Sequence, residues 1–192
     1  DIAMRGGGDT GVAIPPRDLA QSPTHLRLFE LPPEDSSVSA ARLVFAAATS
    51  RSAAWRGAAL FGEQGTALVP IGPSNSRRAI SGQLAEPLGA SPGLMFEQAG
   101  SAVIELFAND LDLADTSFAG IAAGANRVCI GSEVLQFAQA VPLGEGRWRL
   151  AGLLRGRAGT EQYALAGHDA GTLVTMIDDR LTALDPSLVQ PN

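Results

Sequence analysis

Short apolar runs separated by turn-forming residues recur from Thr24 to Ile177, and they leave this chain little choice but a β fold. His25-Leu26-Arg27-Leu28-Phe29 reads as a strand with Leu26 and Leu28 on one face, stopped by Pro32-Pro33. Ala41 to Ala48 carries Leu43, Val44 and Phe45 and reads as a second strand. The runs Trp55 to Phe61 and Thr66 to Ile71 flank Gly62-Glu63-Gln64-Gly65, which has the length and composition of a hairpin loop. Gly72 to Gly93 holds four glycines and three prolines and reads as a long connection, the natural place for a subdomain boundary.

The second half is clearer. Ala102 to Phe107 is strand-like, and Asp115-Thr116-Ser117 offers an N-cap for a short helix that Gly124 would stop. Arg127 to Ile130 and Glu133 to Ala140 form a hairpin around Gly131-Ser132. After Gly144-Glu145-Gly146, alternation along Arg147 to Arg155 puts Trp148, Leu150 and Leu154 on one face and Arg147, Arg149 and Arg155 on the other. Glu161 to Ala166 makes a helical turn ended by Gly167, and Thr172 to Ile177 is the last strand. Strands at intervals of roughly 8–12 residues predict a mainly β fold. Short antiparallel strands and hairpins would form sandwich- or barrel-like modules, with one or two short helices. The expected divisions are an N-terminal arm or linker (1–23), a first β subdomain with its long connection (24–97), a second β subdomain (98–186) and a C-terminal tail (187–192).

All 14 basic residues are arginine. Without lysine there is no phosphate-loop lysine and no Schiff-base chemistry. The 20 acidic residues outnumber the arginines, which argues against a nucleic-acid partner. No run approaches the roughly 20 apolar residues of a membrane span. One cysteine, Cys129, excludes an internal disulfide and a cysteine zinc cluster, and its place between Val128 and Ile130 reads as a small buried hydrophobe. The chain starts Asp1-Ile2-Ala3, with neither initiator Met nor signal peptide, and is read as a piece of a longer polypeptide. Gly6, Gly8 and Gly11 match a dinucleotide fingerprint only formally, because Pro15-Pro16 follows where a helix is required.

Catalytic signatures are equally thin. No G-x-S-x-G elbow accompanies His25 or His168, and His168, in Gly167-His168-Asp169-Ala170-Gly171, reads as a side chain that hydrogen-bonds locally and fixes its turn. Asp110, Asp112, Asp115 and Asp178-Asp179 are the carboxylates from which a glycosidase pair would be drawn, but aspartates in loops are mostly turn-formers. The Asp110-Leu111-Asp112 run lacks the glycine and terminal glutamate of a calcium loop. No catalytic, cofactor or metal residue is therefore assigned. Trp148 reads as core, whereas Trp55 and Tyr163 are candidate glycan contacts. The densest segment is Leu153-Leu154-Arg155-Gly156-Arg157-Ala158-Gly159-Thr160-Glu161. Gly156 and Gly159 suit positive φ and Thr160 a helix cap, with the arginines pairing to Glu161 or nearby carboxylates. It reads as a structural corner built by Arg155, Gly156, Gly159, Thr160, Glu161 and His168.

That segment, with Gly131-Ser132-Glu133-Val134-Leu135-Gln136-Phe137 before it and Gly167-His168-Asp169-Ala170-Gly171 after it, carries a resemblance. It is similar to the C-terminal part of the large tail-tip proteins (baseplate hub, "megatron") of alphaproteobacterial gene transfer agents and related siphophage tails. Trp55 to Phe61 and Gly124-Ala125-Asn126 are also similar, so the likeness spans about residues 24–180. The resemblance implies a non-enzymatic virion component at the tail tip, made in the bacterial cytoplasm. It would contact other tail proteins, other domains of the same polypeptide and host surface polysaccharide. The glycoside-hydrolase-like barrel of that family lies upstream, and none of its catalytic residues map here. The rival reading is a carbohydrate-binding module using Trp55 and Tyr163; a glycosidase built on Asp/Glu pairs stands third.

Overall fold

In the computed structural model, residues 23–32, 43–93, 95–185 and 187 are described. Nearly all of the expected arm and tail, with Gly6, Gly8 and Gly11, lie outside them. β1 (Thr24–Leu31) and β2 (Leu43–Ser50) pair antiparallel, Thr24 opposite Ser50 and Leu31 opposite Leu43. β3 (Phe61–Gln64) and β4 (Ala67–Pro70) form a separate two-stranded ribbon. β5 (Ser81–Leu84), β6 (Phe96–Leu106), β7 (Arg127–Ile130), β8 (Glu133–Gly144), β9 (Arg147–Arg157) and β10 (Leu173–Met176) close an antiparallel barrel in the order β10-β5-β6-β9-β8-β7. The short helix α1 (Phe118–Ala122) joins β6 to β7, and α2 (Glu161–Ala166) joins β9 to β10. β11 (Thr182–Ala183) returns to the other edge of β2, with Thr182 opposite Ala46. The fold is mainly β, with a six-stranded barrel and two short helices.

Side chains fill the barrel. Leu84, Ile104, Leu106, Ile130, Leu135, Phe137, Leu150 and Leu153 are among its fully buried residues, each worth about 1.5–3 kcal/mol of burial. A smaller cluster of Leu31, Cys129 and Val134, flanked by Phe29, Phe45 and Ile177, glues the β1–β2 sheet to the outside of β7 and β8. The sheet therefore turns Arg27 and Phe29 towards the barrel, and Leu26 and Leu28, on the opposite face, are about half exposed. Cys129 is buried there, which pushes its thiol pKa up and makes it a packing residue.

Three expectations need correction. The Gly62–Gly65 loop is mostly strand: the ribbon turns at Gly65-Thr66, and Trp55 to Leu60 precede it as irregular chain. The Gly72–Gly93 connection contains β5, a barrel stave short enough to hide among glycines and prolines. Strict alternation also fails along β9. Trp148 and Leu150 point into the core, but Gly152 adopts φ +63° where β6 shifts its register between Glu97 and Ser101, and the phase inverts. Leu153, not Leu154, takes the core site, and Arg155 follows it inwards.

A Cβ at Gly152 would lie 2.9 Å from Phe96 Cζ and 3.0 Å from Ala138 Cβ. With the left-handed backbone cost added, Gly152→Ala should lower stability by roughly 2–5 kcal/mol. Gly65→Ala, also at positive φ but facing open space, should cost only about 1–2 kcal/mol in the same thermal unfolding series.

Candidate functional site

Glu133 opens β8 immediately after the Gly131-Ser132 turn, on the same strand face as Leu135 and Phe137. An ionised carboxylate cannot stay among such neighbours unless its lone pairs are met. They are. Oε1 accepts from Arg155 Nε at 2.7 Å and from the Gly156 amide at 2.9 Å; Oε2 accepts from Arg155 Nη2 at 2.8 Å and lies 2.7 Å from His168 Nε2. Opposite a carboxylate, that imidazole nitrogen is the donor. Four donors thus meet the four acceptor directions of a carboxylate. Glu133 is 0% and Arg155 1% exposed. Burial pushes the Glu133 carboxyl pKa up, but the bonds from His168, Arg155 and the Gly156 amide outweigh it and hold the group below the ordinary carboxylate range.

The same cluster ties four segments of chain together. Arg155 Nη1 donates to the Gly89 carbonyl between β5 and β6 at 3.1 Å, and His168 exchanges both backbone hydrogen bonds with Leu88 at 2.8 Å. Gly156 has φ +63°, and a Cβ there would lie 2.9 Å from Glu161 Cα, so the Arg155-Gly156 pair can offer side chain and amide to one carboxylate only with glycine in second place. Gly159 is also left-handed, at φ +78°. Thr160 occupies the N-cap position of α2 but makes no capping bond; its buried hydroxyl accepts from the Val134 amide at 3.0 Å and donates to the Arg157 carbonyl at 2.6 Å.

At the expected corner, the carboxylate that Arg155 meets is distant in sequence. Arg155 binds Glu133, across the barrel wall, and not Glu161, which is exposed on α2. His168 reaches Glu133 rather than bonding locally, and together they clamp the end of the barrel. Glu133 itself escaped assignment, although a lone acid opening the apolar run Val134-Leu135-Gln136-Phe137 was the available signal. Trp55 and Tyr163 have different neighbours. The Trp55 indole N–H is held by Thr24 Oγ1 at 3.0 Å beside β1, while Tyr163 stands on α2 against the barrel. Four of the five loop aspartates have their own partners: Asp110 with Arg78, Asp115 with the Ala140 amide, Asp178 with Arg180, Asp179 with Arg77. Among the described residues, no group of three His, Cys, Asp or Glu side chains is placed to hold a metal ion. Nor, among them, is any helix long and apolar enough to cross a membrane.

The family model described as "Rcc01698-like, C-terminal" matches residues 79–175. This chain belongs to that family. The match begins just before β5 and ends in β10, so the Rcc01698-like C-terminal unit is the barrel with its buried lock, and β1–β4 and β11 lie outside it. The family name is one associated with gene transfer agents. A search among curated proteins found no match.

Glu133→Gln should cost about 3–5 kcal/mol, because it strands the Arg155 charge in the interior. Since folding lowers the Glu133 pKa, its contribution is complete above the unfolded value near ~4.3 and is lost as pH falls through the folded value. Acid titrations followed by circular dichroism should therefore show stability falling below about pH 4 in the parent, with a shallower fall in Glu133→Gln.

Proposed function

We propose that this chain is a non-enzymatic structural segment of a tail-tip baseplate protein in a gene transfer agent or related phage-like tail. The observation that carries this reading is the β3–β4 ribbon. Phe61 and Leu68 lie on one face of it and are 52% and 67% exposed. An isolated two-stranded ribbon is marginal in water and gains stability by packing its face or edge on something else. Its base is fixed by the Ala58–Asn75 bridge and by Asn75 Nδ2 donating to the Arg180 carbonyl, so the ribbon projects from an anchored root. Such a part suits contact with a neighbouring tail protein or another domain of the same polypeptide.

The barrel supports the same role. The buried Glu133–Arg155–His168 cluster is consumed internally, as expected of a rigid support whose work is packing. The family's association with gene transfer agents and the R-G-x-x-G-T-E segment point the same way. On this reading the chain is made in the bacterial cytoplasm, ends in the virion tail tip, and meets the host surface through its neighbours.

Phe61→Ser with Leu68→Ser tests the assignment. In a host assembling such tails, the double variant should keep its thermal unfolding midpoint as an isolated chain yet fall at least tenfold in recovery with purified particles. Normal incorporation would remove the ribbon as an assembly element.

A further inference from the structure

Where the β1–β2 sheet meets barrel strands β5 and β10, it leaves a cleft of about 300 Å³. Its lining is chemically one-sided. In a chain with 20 acidic residues, none of the residues lining this cleft is acidic, while Arg27, His25 and the hydroxyls of Thr49, Ser81 and Thr175 are all present.

Arg27 supplies the charge. Its terminal nitrogens donate to neutral oxygens: the Gly131 carbonyl at 2.6 Å, the Cys129 and Leu173 carbonyls at 3.3 Å, and Thr175 Oγ1 at 3.0 Å. No carboxylate is among these partners, which hold the guanidinium in place. Thr175 Oγ1 also lies 3.2 Å from Ser81 Oγ. Either hydroxyl of that pair can donate to the other; when Thr175 donates to Ser81, the Ser81 hydroxyl is free to donate onwards. Thr49 completes the set. It is 1% exposed and its hydroxyl has no hydrogen-bond partner among the described residues, although it shares with Ala47 the sheet face that lines the cleft. A buried hydroxyl left unpaired is destabilising unless something else meets it. His25 and Phe107, both lining the cleft, stack on each other with ring centroids 4.8 Å apart.

We infer that this cleft binds a small carboxylate-bearing, sugar-sized molecule, in the simplest case a uronic acid. The carboxylate would lie in the field of Arg27 and accept from Ser81 and Thr49, with the apolar face of the ring against Phe107. The inference does not rest on the tail-assembly reading, because it draws on a different surface and predicts a small-molecule equilibrium.

Glucuronate, glucose and acetate titrated into the 192-residue chain, followed by amide chemical shifts, separate the contributions. Glucuronate should give saturable shifts at residues around Ser81 and Phe107, with glucose at least tenfold weaker because it lacks the charge. Acetate should also be at least tenfold weaker because it lacks the ring. Thr49→Val removes the unpaired hydroxyl at constant shape, so it should keep or raise the unfolding temperature while weakening glucuronate at least fivefold. Ser81→Ala should weaken glucuronate similarly. Absence of saturable shifts with tens of millimolar glucuronate, equal binding of glucose, or an unchanged Thr49→Val affinity would each overturn the inference.

Discussion

Keeping the Glu133 carboxylate charged inside the protein is the requirement around which the barrel end is built. Desolvating such a group is expensive, and the cost is met only when all its acceptor directions are filled. Arg155 and the Gly156 amide come from β9 and His168 from the turn before β10, so filling them fixes β8, β9 and the approach to β10 in one geometry. The Gly89 carbonyl, held by the remaining guanidinium nitrogen, adds the connection behind β5. A hydrophobic barrel end could slide or repack; this one has a single arrangement in which no charge is stranded.

The architecture divides at the edge of the family match. The barrel, with its lock, is a self-contained packing unit. The β1–β2–β11 sheet is applied to its outer wall through a small apolar cluster and one guanidinium, which borrows carbonyls from around the turn after β7 and from β10. The ribbon stands off both. Rigid support, attached sheet and projecting ribbon are three levels of constraint within one chain.

Much of this was legible in the residues. Strand-length runs and glycine turns located most barrel staves, and Ser117 caps α1 as its side chain suggests. The cases that failed share a cause: the deciding contact is distant in sequence. β5 is four residues long and becomes a strand only because β6 and β10 lie on either side of it. Alternation along β9 was sound up to Gly152, where a register shift against β6 reversed the buried face and carried Arg155 inwards. Glu133 and His168 are 35 positions apart, and neither neighbourhood announces the other. Arg27, flanked by leucines, looked like the polar side of a strand whose polar side turned out to be the one that packs.

The short return strand β11 has a consequence for how such a chain comes into being. Thr182 pairs with Ala46, and Arg27 bonds to Thr175, so the first sheet finds both its third strand and its anchor near the far end of the described chain. Contacts of such long span are entropically slow to close. During synthesis β1 and β2 emerge before either partner exists, so the sheet cannot be completed until the barrel strands between them have been made. Strands made ahead of the barrel are therefore secured only after its last strand is made.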